Sequence, residues 1–275
     1  VSTPFSADSN SDPHRELGFV LKSSPYQERD LILVLFTEKR GKISAIARNG
    51  IQSKRFGASL DLFLASEFEL DPKSSHHAEH RDDFLIQLNS AQPRHSIRAI
   101  TQHLEKLAVA SCLNELLVKT LPPGRAALDM FKLYSNALLT IEERSPEQSV
   151  GVLNGFMLKL TQWLGVQPLL TRCQSCQRTL TEIEGDYVRP LLAQGSWVCQ
   201  QCRSEGASAL LSRQVLNDAV VAMIQPIKKL ELTASMDDHF ELLQYLEKHL
   251  AFCVPGFEKD ELSSIRFLKS IRSLA

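Results

Sequence analysis

The sequence predicts an α+β protein of more than one domain, with a small five-stranded barrel first and an all-α domain after it that carries an inserted four-cysteine module. Three observations predict it. Strand-like period-two alternation fills roughly the first hundred residues, and three- and four-residue apolar spacing fills the rest. Two Cys-x-x-Cys pairs interrupt the helical part.

The whole chain sets the bounds. Its 275 residues, 43% hydrophobic and 23% charged, suffice for two domains with a real core. The longest apolar run, Leu31 to Phe36, falls far short of the roughly 20 residues of a spanning helix, so a soluble protein without membrane association is expected. The start, Val1 to Pro13, is rich in Ser, Asp, Asn and Pro and has no apolar h-region; residues 1–14 are expected to be a disordered tail, not a secretory signal. A net charge of −1 means that a nucleic-acid partner must be met by a local basic patch.

Strands are expected at Glu16–Ser23, Arg29–Thr37, Lys42–Arg48, Leu60–Leu70 and Asp83–Asn89. In the fourth, Leu62, Leu64, Phe68 and Leu70 share one face, opposite Asp61, Glu67 and Glu69. Turns at Pro25, Lys39–Gly41, Asn49-Gly50 and Asp71-Pro72 keep the strands short. Such a set fits an OB-type barrel, expected over 15–92, which closes on itself and leaves no free edge.

Over 93–275 the pattern is helical. Ile97, Ile100, Leu104, Leu107, Leu113, Leu116 and Leu117 mark one amphipathic helix that should end before Pro122-Pro123. Further helices are expected at about Arg125–Glu143, Gln148–Leu164, Arg213–Ile224, Asp237–Ala251 and Glu261–Ser273, with Ser145, Ser212 and Ser235 as start signals and Gly165 as a stop.

Cys173-Gln-Ser-Cys176 is followed after 22 residues by Cys199-Gln-Gln-Cys202. Each turn aims two thiolates at one point, and two such turns supply the tetrahedral sulfur shell of Zn²⁺. One structural zinc per chain, in a module spanning 173–202 with a hairpin from Tyr187-Val188-Arg189 and Ser196-Trp197-Val198, is the expectation. Two local disulfides or a redox pair are the alternatives. Cys112 and Cys253 are expected as small buried hydrophobes. His76, His77 and His80 fall in a polar loop and read as a solvated turn.

From Lys39 to Arg55 stand six cations, Lys39, Arg40, Lys42, Arg48, Lys54 and Arg55, and no acid. On barrel hairpins they could follow a phosphate backbone, although a charge run is commonly a solvated face. Phe56 beside them reads as a core residue or as a platform for a base. No phosphate loop, nucleophile elbow or His-Glu-x-x-His stands in the chain, so no active site is expected. Asp82-Asp83 and Asp237-Asp238 read as solvation and capping.

Several segments resemble the RecO recombination-mediator family: Gly18-Phe19-Val20-Leu21, Tyr26 and Arg29-Asp30-Leu31, Thr37 to Gly41-Lys42, Ala47-Arg48-Asn49-Gly50, and Ser53-Lys54-Arg55-Phe56-Gly57. Gly155-Phe156-Met157-Leu158-Lys159-Leu160, then Leu164-Gly165-Val166-Gln167-Pro168 running into Cys173, extends the likeness. The retained cysteines are similar to those of the zinc-bearing branch. The resemblance implies an OB-fold, a helical domain with a zinc module, binding of single- and double-stranded DNA, and annealing of complementary strands in the bacterial cytoplasm at the nucleoid. It also implies partnership with RecR and with the acidic tail of single-stranded-DNA-binding protein in loading RecA. Candidate cations for that tail are Arg125, Lys132, Arg266, Lys269 and Arg272. An RNA- or polymerase-binding factor built from an OB barrel and a zinc ribbon is the competing reading.

Overall fold

The computed structural model describes residues 14–72, 85–202, 210–255, 257 and 262–273. The expected tail, apart from His14, lies outside them, as do His76, His77, His80, Asp82 and Asp83. The chain forms two compact units, one containing residues 1–102 with 113–142 and the other 103–112 with 143–275.

In the first unit, β1 (Arg15–Tyr26), β2 (Asp30–Thr37), β3 (Gly41–Ala47), β4 (Leu64–Leu70) and β5 (Ile86–Ser96) close a barrel in the order β1-β2-β3-β5-β4. The β3–β5 pairing is parallel and the others antiparallel, an OB-like arrangement. Alternate residues fill the interior: Val20, Leu33, Leu35, Ile43, Ala45, Ala47, Phe68, Leu70 and Leu88. On the outer face, Phe19 and Phe36 pack against Phe131 and Tyr134 of α3 (Leu128–Glu143), with ring centroids 5.2–6.0 Å apart. That burial explains why residues 17–21 of β1 are apolar on both faces.

Three strands differ from expectation at their ends. β1 runs on through Pro25, the site of an expected turn, to Tyr26, with Pro25 paired to Leu31 and Tyr26 to Asp30 of β2. β4 begins at Leu64 because residues Gly57–Leu60 turn as a 3-10 helix and Phe63 takes a left-handed φ of 64°. Leu62, expected in the core, is partly exposed. β5 runs on through Pro93 to Ser96, opposite Ser66, where a register irregularity accommodates the missing N–H.

The first expected helix is divided. α1 (Arg98–Gln102) and α2 (Leu104–Thr120) meet at His103. The Glu142 carboxylate accepts hydrogen bonds from the Ala99 and Ile100 amides, both 3.0 Å, and so fixes the first turn from outside.

The second unit contains α4 (Ser149–Trp163), α5 (Arg213–Ile224), α6 (Met236–Cys253) and α7 (Ser263–Arg272). Ser212 caps α5 by accepting from the Val215 amide, and Ser235 and Asp238 form a reciprocal capping box on α6. Ser145 instead precedes the short 3-10 turn Pro146–Gln148 and makes no side-chain cap there. Gly165, at φ 76°, ends α4 in a Schellman arrangement, with Val166 N–H donating to Thr161 C=O and Gly165 N–H to Gln162 C=O. Among the described residues no helix is long and apolar enough to cross a membrane.

Candidate metal centre and candidate nucleic-acid interface

The four-cysteine module is organised by a hairpin. β6 (Tyr187–Leu191) pairs antiparallel with β7 (Ser196–Val198), as expected, and β6 also pairs with the two-residue β8 (Leu211–Ser212), too short to leave a sequence signal. Trp197 is fully buried and its indole N–H donates to Leu170 C=O, while Gln174 N–H donates to Trp197 C=O. These bonds hold the first Cys-x-x-Cys turn against the second. Gln177, at φ 60°, and the Gln177 N–H to Cys173 C=O bond curl the first turn, and Cys202 N–H donates to Cys199 C=O in the second.

The result brings the Sγ atoms of Cys173, Cys176, Cys199 and Cys202 within 4.8 Å of one another, with Cys176 and Cys199 at 3.8 Å. Tetrahedral zinc with Zn–S near 2.3 Å requires sulfurs about 3.8 Å apart, so the donor set fits a dication of that kind. Without a cation the four thiols do not ionise alike. Burial opposes ionisation of Cys173, but the Cys176, Cys199 and Ser175 amides outweigh it and bring the thiol down to about 6. Hydrogen bonding with Cys176 and Cys199, burial and neighbouring charge push Cys202 up to about 12. Four thiolates at this spacing require a cation to coexist. All of the cysteines are free thiols, so the disulfide alternative is not formed. Cys112 is buried as expected, whereas Cys253 is half-buried with its sulfur 3.8 Å from His249 Nδ1.

The six cations of the barrel divide by environment. Arg40 Nε donates to Glu16 Oε1 at 2.5 Å; Glu16 is only 1% exposed and Arg40 half-buried, so the guanidinium covers a buried carboxylate. Lys42 is half-buried and its ammonium donates to Val118 C=O at 2.7 Å near the C-terminal end of α2; burial lowers its pKa. Lys39, in the exposed turn between β2 and β3, donates to Arg15 C=O. The remaining three gather beyond β3. Arg48 Nη1 donates to Asp30 Oδ2 at 2.6 Å, Arg55 Nη2 donates to Arg48 C=O at 3.3 Å, and Lys54 is exposed beside Arg55. The Asn49 amide and the Arg48 guanidinium hold the Asp30 carboxyl below the usual carboxylate range. Sequence reasoning misses Asp30, because its partnership with Arg48 depends on the pairing of β2 with β3.

Phe56 is 1% exposed and belongs to the barrel core, with the Arg55 guanidinium 5.4 Å from its ring centroid. It is therefore a core residue and offers no face to a base. Of the remaining candidate cations, Arg125 is exposed in the coil before α3; in the helices Lys132 is half-buried, Lys269 pairs with Glu247 at 3.7 Å, and Arg272 pairs with Asp237 and stacks over Phe240 at 4.4 Å.

Comparison with known proteins decides the family. The profile described as "Recombination protein O N terminal" matches residues 12–79, and "Recombination protein O C terminal" matches residues 101–258. The chain belongs to the RecO family. It is 28% identical over 240 residues, 85% of this chain and 92% of the relative, to the "DNA repair protein RecO" of Alkaliphilus metalliredigens (strain QYMF). The similarly named protein of Symbiobacterium thermophilum is 28% identical over 260 residues, covering 93% and 96% of the two chains. That of Syntrophus aciditrophicus (strain SB) is 31% identical over 196 residues, 71% of each. The N-terminal RecO match coincides with the greater part of the barrel, and the C-terminal one contains all four clustered cysteines.

Proposed function

We propose that this protein acts in DNA repair and recombination as a mediator. In this reading it binds single- and double-stranded DNA through the barrel, brings complementary strands together, and helps RecR load RecA on DNA coated by single-stranded-DNA-binding protein. The observation that carries the reading is the outward cluster of Arg48, Lys54 and Arg55 on an OB-like barrel in a RecO-family chain. Cations so placed can neutralise phosphates and release their counterions. Arg40 and Lys42 are half-buried and engaged with partners in the fold, which makes them the weaker members of the basic run.

Annealing needs no catalytic residue, since base pairing supplies the driving force and the protein must only screen phosphates and hold strands close. A non-enzymatic protein is the corresponding reading. The four thiols would hold one Zn²⁺ in a closed shell with no position for water or substrate, giving it a structural role. Metal analysis of anaerobically purified protein should return one zinc per chain, and well under one would defeat the assignment. RecR, the acidic tail of single-stranded-DNA-binding protein and, indirectly, RecA are the partners this reading requires, in the cytoplasm at the nucleoid. A labelled tail peptide should bind the folded protein at low salt.

The deciding experiment is annealing of two complementary oligonucleotides, naked and coated with single-stranded-DNA-binding protein. Protein-dependent acceleration on coated strands is expected, and none from a folded sample would remove the mediator reading. The charge reversals Lys54→Glu and Arg55→Glu should weaken DNA binding and reduce the single-strand salt slope by about 0.7 for each phosphate left without its cation. An unchanged slope would exclude these two residues.

A further inference from the structure

The outer face of β1, β2 and β3 is divided into a covered half and an open half. Strand register places Phe19 opposite Phe36, and this pair lies under Phe131 and Tyr134 of α3. Farther along the same face the register continues Lys22↔Val34, Ser24↔Ile32 and Tyr26↔Asp30, with Ile46 beside Ile32 and Ser44 beside Val34 on β3. The alternate residues of these strands, Val20, Leu33, Leu35, Ala45 and Ala47, point into the barrel, which fixes the first set on the outside.

On this half Lys22 is exposed, Ile32 and Val34 are half-buried and Tyr26 is 42% exposed, whereas Ile46 is covered. Cations lie on the neighbouring strand and segment. Tyr26 stands across from Asp30, whose carboxylate holds Arg48, and the Ile51 amide donates to Arg29 C=O, bringing the segment leading to Lys54 and Arg55 alongside. Two acids share the region, Glu28 at the hairpin tip and Asp30, the latter already paired. Phe56 offers nothing to a ligand here, since it is buried in the core.

We propose that Tyr26 is a stacking platform for an unpaired base, with Lys54 and Arg55 of the adjoining segment and Lys22 farther along β1 for the neighbouring phosphates, and Ile32 and Val34 as an apolar floor. This rests on the reading of the barrel as a DNA-binding domain and adds what selects single strands within it. A phenol ring presents a π-face to any base, so the platform is sequence-tolerant, and it acts only on bases that are not already stacked in a duplex.

The test measures binding of the full chain to an oligothymidylate, to an abasic strand of equal length, and to a duplex. The wild-type protein should prefer oligothymidylate over the abasic strand. Tyr26→Ala should bind oligothymidylate about 5- to 100-fold more weakly, with abasic and duplex binding unchanged, while Tyr26→Phe keeps the preference. If Tyr26→Ala does not fold, Tyr26→Leu retains apolar bulk without the ring and serves the same comparison. Retention of the full preference by the ring-less variant overturns the platform alone. Failure of the wild type to bind any of the three overturns the DNA-binding reading with it.

Discussion

At the residue scale, the environment of a charge decides its role, as Arg40 and Lys54 illustrate. Both belong to one basic run, yet Arg40 faces the buried Glu16 carboxylate and Lys54 faces water. Removing one partner of a buried pair leaves an uncompensated charge. Arg40→Ala should therefore destabilise the fold by about 3 kcal/mol while leaving the salt slope of DNA binding intact, as denaturant titration beside binding isotherms would reveal. Asp218 shows the same logic in the second unit. It accepts from the Thr233 amide and hydroxyl and the Ala234 amide, and lies 3.4 Å from His239 Nε2. Burial works to raise its pKa, but these donors prevail and hold it below the ordinary value. A depressed carboxyl stabilises the fold above its unfolded pKa, and that stability is lost as pH falls through the folded value. Asp218→Asn should be less stable than wild type at pH 7, with the gap closing below about pH 4. An equal gap at pH 7 and pH 3 in denaturant titrations would exclude the ionised carboxylate as the cause.

At the element scale, ends matter more than interiors. The Ser235 cap on α6 satisfies an amide that has no partner within the helix, so Ser235→Ala should cost about 1 kcal/mol in a thermal or denaturant melt. Gly41 begins β3 at φ 69°, and a Cβ there would lie 1.9 Å from Arg125 C=O. Gly41→Ala should be considerably more destabilising than removal of a helix cap, because left-handed strain and a backbone clash coincide. The interiors of α4, α5 and α6 are legible from apolar spacing, and the caps Ser212 and Ser235 from their residue type. The division at His103, the late start of β4 and the extension of β5 through Pro93 are not. The last depends on register irregularities against the neighbouring strand, which no local signal contains.

At the scale of the whole molecule, the four-cysteine cluster joins segments separated by a hairpin, and a zinc ion held there, as proposed, should order the module. Chelation under reducing conditions should expose residues 173–202 to proteolysis, while the barrel, a separate compact unit, keeps its resistance. Unchanged cleavage in that module after verified metal removal would show that the hairpin and the Trp197 hydrogen bonds suffice to hold it.

The sequence by itself determined the five strands, most of the helices and the four metal-binding candidates, because alternation, helical spacing and Cys-x-x-Cys turns are local signals read within a few residues. Only the tertiary structure decided which cations point to water, that Phe56 is core, and that Tyr26 lies on the open part of an outer face. Those outcomes depend on barrel closure and on the packing of α3 over Phe19 and Phe36. Burial is a property of what comes to lie above a residue, and no stretch of neighbouring sequence contains it.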